Sequence, residues 1–389
     1  MSKYIAKGII DMPSSGIREF FDVANMMKDA ISLGVGEPDF ETPWHVREAA
    51  ISSIEKGLTS YSSNTGMIEL REAISDYLDE RYDIQYAPEH QILVTIGASE
   101  GIDLALRALV NPGDEVLVVE PSYVSYKPCI TMCGGIAVPI VTKAENEFRL
   151  TPDELKACIT PKTKALILPY PNNPTGGIME IDDLAAISKV IIENDIIVIS
   201  DEIYSELTYG GRHASIASLP GMYERTIVLN GFSKAFAMTG WRLGYAAGPE
   251  EFIYNMNKIH QYIAMCAPTP SQFAGIEALR GADRDNDIEI MREAYDARRK
   301  LIVGRFRQMG LDCFEPRGAF YVFPSIQKTG MKSKDFCKEL LYDQKVAVVP
   351  GTAFGECGEG FIRCSYAYSV ENIEEALDRI EIFVKKHIK

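Results

Sequence analysis

Residues 165–200 read ALILPYPNNPTGGIMEIDDLAAISKVIIENDIIVIS. The two apolar runs at 165–169 and 196–200 have the length of strands, and a helix-length segment at 181–194 separates them. Strands this apolar are typical of a parallel sheet that is covered by helices on both faces. The stretch therefore predicts an α/β fold.

The same alternation continues on both sides of this unit. Upstream, ILVTI at 92–96 precedes a predicted helix from Ser99, and VLVVE at 116–120 precedes another helix. Downstream, two more apolar runs follow, TIVLN at 226–230 and RLGYAAG at 242–248. The alternating pattern thus extends from about residue 90 to about 250.

After about residue 280 the pattern changes to long amphipathic helices with a few strands between them. Apolar residues at steps of three, four and seven predict a helix over 291–310, and a last helix is expected at 370–386. This pattern predicts a smaller α+β domain. The predicted division is an N-terminal arm with part of the small domain at 1–45, a large domain at 46–280 and a small C-terminal domain at 281–389.

Composition narrows the class of protein. The 389 residues include 40 basic and 55 acidic side chains, and the resulting net charge of −15 argues against a nucleic-acid partner. An apolar run of the ~20 residues needed for a membrane span is absent from the sequence, and the N-terminus does not resemble a signal peptide. The eight cysteines form no CxxC pair and the five histidines form no cluster, so we expect reduced thiols, no metal site and a cytoplasmic protein.

Polar residues follow several predicted strands, where the carboxyl ends of parallel strands form a ligand-binding crevice. The segments are GASEG from Gly97, PNNPTG from Pro171, SDEIY from Ser200 and GFSK from Gly231. We therefore expect their side chains to meet in one site.

Lys234 lies in the uncharged stretch LNGFSKAFAMTGW, where desolvation favours a neutral amine that can form a Schiff base with a carbonyl. A surface lysine that merely follows a strand is the alternative. Asp201 ends an apolar strand, and burial of its carboxylate is favourable beside a cation such as a pyridinium nitrogen. It could equally cap a helix or pair with an arginine. Tyr204 and Asn173 could reach the same ligand, although a tyrosine after a strand usually serves packing.

The backbone at Gly97, Ala98 and Ser99 precedes an apolar helix, so free N–H groups and the helix dipole favour a phosphate there. A plain helix cap is the alternative for Ser99. Ser233 and Arg242 add a hydroxyl and a guanidinium, which binds phosphate through a fixed fork.

Together, PNNPTG from Pro171, SDEIY from Ser200, SKAFAMTGWRLG from Ser233 and FIRCSY from Phe361 resemble the class I/II aminotransferases. These are pyridoxal-phosphate enzymes of fold type I, and the similarity extends from Gly16 to the last helix. The resemblance looks closest to archaeal aromatic aminotransferases and to a Bacillus group. It implies a mostly parallel seven-stranded sheet flanked by helices, with a smaller α+β domain.

The resemblance also implies a role for individual residues. Lys234 matches the Schiff-base lysine, Asp201 the partner of the pyridine nitrogen, and Asn173 and Tyr204 the residues that hold the ring's phenolic oxygen. The phosphate and ring contacts implied are Gly97, Ala98, Ser99, Ser233 and Arg242, with Tyr123 over the ring and Tyr61 reaching from the neighbouring subunit of a homodimer. Arg363, assisted by Gly36 and Asn173, matches the arginine that binds the substrate carboxylate.

The expected reaction is ping-pong transfer of an amino group to 2-oxoglutarate. An aromatic donor is the first choice because Tyr61, Tyr123, Tyr262 and Phe320 offer surface for a ring. Aspartate and N-acetyl-diaminopimelate remain alternatives, with Arg18, Arg212 and His213 as possible partners of a distal carboxylate. A β-lyase that uses the same cofactor is a further alternative, and an aminotransferase-like transcription regulator is disfavoured because no room precedes the matching region.

Overall fold

A computed structural model describes residues 4, 5, 7–10, 12, 27 and 29–388 of the chain. Part of the predicted N-terminal arm lies outside the described residues, including Gly16, where the resemblance begins, and Arg18, one of the possible partners of a distal carboxylate. The arm contributes the short helix Lys7–Ile10 and strand β1, Ile31–Ser32.

A seven-stranded sheet forms the centre of the larger part of the chain. Its strands are β2 (Ile92–Thr95), β3 (Glu115–Glu120), β4 (Ile136–Val141), β5 (Thr163–Leu168), β6 (Ile197–Asp201), β7 (Thr226–Gly231) and β8 (Gly244–Ala247). Their order is β2-β8-β7-β6-β5-β3-β4, and β8 runs antiparallel to both of its neighbours while the other pairs are parallel. The predicted α/β fold with a mostly parallel seven-stranded sheet is confirmed.

Helices cover both faces of this sheet. Along β3, Val116 and Val118 pack into one hydrophobic cluster, whereas Leu117 and Val119 pack into another. Successive side chains of a strand point to opposite faces, so an apolar run without alternation indicates two covered faces. The helices of this part are Trp44–Glu55, Ile68–Tyr82, Gly97–Leu109, Tyr126–Met132, Pro152–Cys158, Ile181–Glu193, Phe232–Ala235, Glu250–Ile263 and Thr269–Arg280.

The C-terminal part contains three long helices and short strands. The helices are Arg284–Gln308, Ser333–Gln344 and Val370–His387, and the strands are β9 (Tyr321–Val322), β10 (Val346–Ala347), β11 (Val349–Pro350) and β12 (Ile362–Ser365). Strand β12 lies between β11 and β9 and is antiparallel to both. The helix predicted at 291–310 begins earlier, at Arg284, because its first two turns are highly charged and hide the apolar stripe.

Strand β1 pairs in parallel with β10, so this segment of the N-terminal arm packs on the C-terminal part. This pairing supports the division of the chain at 1–45, 46–280 and 281–389, which we retain as a proposal. Short 3₁₀ helices complete the described structure at Ala144–Asn146, Ile216–Ser218, Tyr223–Arg225, Gln327–Thr329, Gly351–Phe354 and Glu356–Gly358. Within the described ranges, no helix combines the length and the apolar character needed to cross a membrane. The eight cysteines are free thiols.

Candidate active site

The carboxyl ends of β2, β5, β6 and β7 lie at one edge of the sheet. Gly244 of β8 is the register partner of both Thr95 in β2 and Gly231 in β7, which brings the ends of these two strands to either side of it. A Cβ atom on Gly244 would lie 2.5 Å from the backbone nitrogen of Ala98, so only glycine allows this close approach. The segments after the strands therefore converge as the sequence predicts.

Lys234 lies in the short helix Phe232–Ala235, directly after β7. Its Nζ donates a hydrogen bond to the carbonyl oxygen of Gly36 at 2.6 Å and lies 5.6 Å from the ring centres of Tyr204 and Phe320. Burial among these groups lowers the pKa of the amine from 10.5 to about 8. With this pKa, roughly a tenth of the amine is unprotonated at pH 7, far more than in a free lysine, and the unprotonated form is the nucleophile.

Asp201 is the last residue of β6 and is buried. Its Oδ2 accepts a hydrogen bond from the hydroxyl of Tyr126 at 2.7 Å, and its Oδ1 accepts one from the backbone N–H of Ile203 at 3.3 Å. Burial raises the pKa of Asp201, while these two hydrogen bonds lower it and only partly offset the burial. The carboxylate is therefore held in place and poorly solvated, and pairing with a bound cation would be favourable.

Tyr126 is a site residue that the sequence did not reveal. It begins the helix Tyr126–Met132 and packs edge to face against Tyr123 at 5.6 Å between ring centres. The distance of 75 residues between Tyr126 and Asp201 leaves no local pattern for this contact. The spacing of three residues after Tyr123 is the one signal, because residues three apart share a face if the segment is helical.

Tyr204 lies in the turn after β6, and its hydroxyl is 2.8 Å from the hydroxyl of Tyr321. Burial raises the pKa of Tyr204 well above 10, so its hydroxyl keeps a proton that it can donate to an acceptor. Tyr321, in β9, is the second residue that sequence reasoning missed. Its hydroxyl also leaves room only for glycine at position 36, because a Cβ atom on Gly36 would clash with it.

Arg363 lies in β12 and is 3% exposed, so its side chain belongs to the interior of the protein. Its Nη1 donates to Oδ1 of Asn173 at 2.8 Å, and its Nη2 donates to the carbonyl oxygen of Gly34. The guanidinium carbon lies over the rings of Tyr321 and Phe354, 4.5 and 4.8 Å from their centres. This arrangement fixes a flat, positively charged fork that matches a carboxylate.

Gly97, Ala98 and Ser99 form the first turn of the helix Gly97–Leu109, as predicted for an anion site. Arg242 lies against this turn, because a Cβ atom on Gly97 would approach its Nη2 to 2.7 Å. Ser233 is buried at the start of the Lys234 helix, whereas Ser99 and Arg242 are exposed. The turn and the guanidinium thus meet at one end of the site.

Other predicted residues lie apart from Lys234. Tyr61 and Tyr262 are 77% and 89% exposed, so both rings face solvent in the single chain. Arg212 is exposed, and the partly buried His213 places Nε2 at 3.0 Å from a carboxylate oxygen of Glu202. His213 is therefore occupied by Glu202 rather than directed at a ligand.

The site fits pyridoxal phosphate on three observations. Lys234 offers an amine with a lowered pKa, the buried Asp201 offers a carboxylate for a ring cation, and the first turn at Gly97 together with Arg242 offers an anion site. In addition, Nε of Arg363 is buried and has no hydrogen-bond partner among the described residues, as expected for a group that waits for a ligand. Over the same residues, no group of three or more histidine, cysteine or acidic side chains could hold a metal ion.

Known proteins are similar to this chain in sequence and in fold. Residues 28–380 match the protein family described as aminotransferase class I and II. The putative aminotransferase YugH of Bacillus subtilis (strain 168) is 50% identical over 386 residues, which cover 99% of this chain and 100% of that protein. The aspartate aminotransferase of Pyrococcus abyssi (strain GE5 / Orsay) is 50% identical over 368 residues, covering 94% and 95%. The crystal structure of an aromatic aminotransferase from Pyrococcus horikoshii OT3 superposes with a TM-score of 0.91 at 47% identity and covers 94% of this chain and 99% of that one.

Proposed function

The chain belongs to the class I and II aminotransferases, which are pyridoxal-phosphate-dependent enzymes, and we propose that it transfers the amino group of an L-amino acid, preferably an aromatic one, to 2-oxoglutarate. The observation that carries the proposal is the position of the Lys234 amine. It lies 5.6 Å from the ring centres of both Tyr204 and Phe320 and contacts the loop that also contacts Arg363. A base, an apolar surface and a carboxylate clamp are thus grouped around one small volume.

We assign the cofactor contacts residue by residue. When bound, pyridoxal phosphate supplies an aldehyde that condenses with amines and a pyridinium ring that withdraws electrons from the α-carbon of the substrate. Asp201 would face the ring nitrogen, Asn173 and Tyr204 the phenolic oxygen, and Tyr123 the ring plane. The phosphate would be held by Gly97, Ala98, Ser99, Ser233 and Arg242, with Tyr61 from the neighbouring subunit.

Lys234 is the proposed catalytic base. Its amine, with a pKa near 8, takes the proton from the α-carbon, holds it at Nζ and releases it again in the same site. General acid–base transfer of this kind contributes roughly 10² to 10⁴-fold in rate when the pKa lies near the working pH. We propose that Gly36 positions this amine, because its carbonyl oxygen accepts the hydrogen bond from Nζ in the structure.

Arg363 is the proposed clamp for the α-carboxylate of both substrates. Asn173 orients it through the bond to Nη1, and the rings of Tyr321 and Phe354 both contact the guanidinium. Because one clamp serves the amino acid and the oxo acid, the two substrates bind in turn. A ping-pong sequence of two half-reactions follows from this shared site.

The aromatic preference is supported by the rings close to the amine and by the similarity to the aromatic aminotransferase of Pyrococcus horikoshii. Aspartate is the second candidate, because the Pyrococcus abyssi relative at 50% identity carries that name. Of the cations considered for a distal carboxylate, Arg212 is exposed and His213 is occupied by Glu202. Because 2-oxoglutarate carries a distal carboxylate as well, these positions do not discriminate between the two donors.

We further propose a cytoplasmic homodimer with shared active sites that binds neither nucleic acid nor membrane. Tyr61, Tyr262, Ile263 and Met265 are exposed apolar residues. The Nδ2 of Asn64 donates to the carbonyl oxygen of Met265 at 2.8 Å, which joins the two segments into one patch. Apolar patches of this kind mark protein interfaces.

A panel of amino donors tests the proposal. Phenylalanine, tyrosine, aspartate and N-acetyl-diaminopimelate are compared with 2-oxoglutarate as acceptor, and kcat/KM is measured for each. We expect the aromatic donors to lead by at least about tenfold, which corresponds to ~1.4 kcal/mol of transition-state binding. A higher kcat/KM for aspartate than for the aromatic amino acids would identify aspartate as the donor. Release of ammonia and pyruvate from a cysteine-like substrate without an oxo acid indicates a β-lyase instead.

A further inference from the structure

The turn that precedes the helix Gly97–Leu109 is held by a side chain from inside the helix. Oε2 of Glu100 accepts a hydrogen bond from the backbone N–H of Ile96 at 2.6 Å. From the other side, the hydroxyl of Thr95 donates to the carbonyl oxygen of Gly97 at 2.9 Å. Gly97 adopts φ +73, a conformation that other residues rarely adopt, so these two bonds fix an unusual backbone geometry.

The second oxygen of Glu100 is held from a different helix. Nδ1 of His260, in the helix Glu250–Ile263, lies 2.7 Å from Oε1 of Glu100. A carboxylate can only accept, so Nδ1 is the donor in this pair. His260 is 0% exposed, and its other ring nitrogen is buried without a hydrogen-bond partner among the described residues. Glu100 is thus the polar contact that the structure gives for the buried imidazole.

These contacts leave the first turn free for an anion. Ile96 is the residue that caps the helix, and its side chain cannot accept a hydrogen bond. The carboxylate of Glu100 could compete for the N–H groups of Gly97, Ala98 and Ser99, because negative charge is favourable at a helix N-terminus. It is instead directed to Ile96 and His260, away from those three groups.

We propose that Glu100 and His260 are positioning residues for the phosphate of the cofactor. Glu100 fixes the Ile96–Gly97 turn, so that the N–H groups after it point to the phosphate, and His260 keeps the carboxylate from turning toward the same groups. The inference rests on the proposed phosphate contacts at Gly97, Ala98 and Ser99. It assigns a task to two residues that touch neither substrate nor cofactor.

The test compares pyridoxal phosphate with pyridoxal, which has the same ring and aldehyde and no phosphate. Dissociation constants of both for the cofactor-free full chain are measured by absorbance and fluorescence titration, without an activity assay. In Glu100→Ala and His260→Leu, we expect the constant for pyridoxal phosphate to rise about tenfold, and that for pyridoxal to change less than about twofold. His260→Asn keeps a donor for Glu100, so we expect it to bind both compounds as the unmodified protein does.

Glu154→Ala is the matched control. Glu154 accepts a hydrogen bond from the backbone N–H of Thr151 at 3.0 Å at the start of the helix Pro152–Cys158, which takes no part in the proposed site. Its loss should lower stability and leave both dissociation constants unchanged. If Glu100→Ala does not fold, His260→Leu and Glu100→Gln carry the same comparison, since both disturb the pair while retaining a side chain in the space.

The outcomes separate two claims. If the unmodified protein prefers pyridoxal phosphate and the variants keep that preference, or weaken both compounds equally, then Glu100 and His260 have a merely structural role and the inference is overturned. If the unmodified protein itself shows no preference for the phosphate, the proposed phosphate site is wrong and the inference falls with it. A selective loss for pyridoxal phosphate that His260→Asn restores supports the inference.

Discussion

The hydroxyl of Tyr126 donates a 2.7 Å hydrogen bond to Oδ2 of Asp201 in the interior of the protein. Both residues are buried, and this bond lowers the pKa of Asp201 against the larger opposite effect of burial. Tyr126 therefore helps to keep the carboxylate ionised, which is the form that can pair with a ring cation. The ability of Asp201 to keep the ring nitrogen of the cofactor protonated would therefore depend on Tyr126, which lies at the start of another helix.

Asp201→Ala should slow both half-reactions by at least about a hundredfold, because the ring nitrogen loses the carboxylate that keeps it protonated. Single-turnover absorbance measurements with saturating cofactor separate this effect from weak cofactor binding. A near-normal rate in the saturated variant would remove Asp201 from the proposed role.

Tyr126→Phe should have a smaller effect of the same kind. Loss of the donor raises the pKa of Asp201 further, so the carboxylate protonates at higher pH and the acid limb of the half-reaction profile moves upward. A hydrogen bond to a charged group contributes about 1.5–3 kcal/mol, and we therefore expect a rate loss of at least about tenfold near neutral pH.

Tyr170→Phe is the control for this substitution. Its hydroxyl is also buried and donates over 2.7 Å, but to the backbone oxygen of Phe148. It should change stability without moving the pH profile. An equal shift of the acid limb in both variants contradicts the specific effect of Tyr126.

Arg363→Leu should raise KM for the amino acid and for the oxo acid alike, because both present the same carboxylate to one clamp. The expected increase is about ten- to a hundredfold, from the strength of hydrogen bonds to charged groups. Arg299→Leu is the control, since it removes another buried guanidinium that bonds Glu315 and the carbonyl oxygen of Pro316. An increase in KM for one substrate alone indicates a different clamp.

The amine of Lys234 should react with aldehydes at lower pH than an ordinary lysine. Burial lowers its pKa to about 8, so the unprotonated fraction rises as the pH increases through 8. A free lysine side chain, with a pKa of about 10.4, gains reactivity only at higher pH. The measurement is the rate of reductive labelling of the cofactor-free chain by pyridoxal phosphate between pH 6 and 10. Nα-acetyl-lysine, whose side-chain amine is free, is the reference. Parallel profiles for the two amines would be inconsistent with a lowered pKa.

The sequence predicted the sheet and the residues at its edge because both follow from local patterns. Apolar runs separated by helix-length segments specify buried parallel strands, and the carboxyl ends of such strands must meet. The pattern alone therefore predicts that Asp201 and Lys234 lie near one another. The family resemblance then added their roles and those of Asn173 and Arg363.

The remaining contacts could not be predicted because they join distant parts of the chain. Tyr321 lies in the run AFYVFP, where it reads as one more strand residue, yet it contacts Tyr204 and Arg363. Glu100 and His260 are 160 residues apart, and neither has a local signal for the other. The start of the helix at Arg284 was missed for a different reason, because charged residues interrupt its apolar stripe.

The central claim is that one side-chain amine, that of Lys234, holds the cofactor and moves the proton. The direct measurement is borohydride reduction of the protein loaded with pyridoxal phosphate, followed by mass spectrometry of its peptides. The account predicts one pyridoxyl group per chain, located on Lys234, and predicts that Lys234→Ala gains no such group and loses turnover, while Lys258→Ala, at an exposed lysine, behaves as the unmodified protein. A stoichiometric adduct on another lysine, or turnover retained in Lys234→Ala, would contradict it.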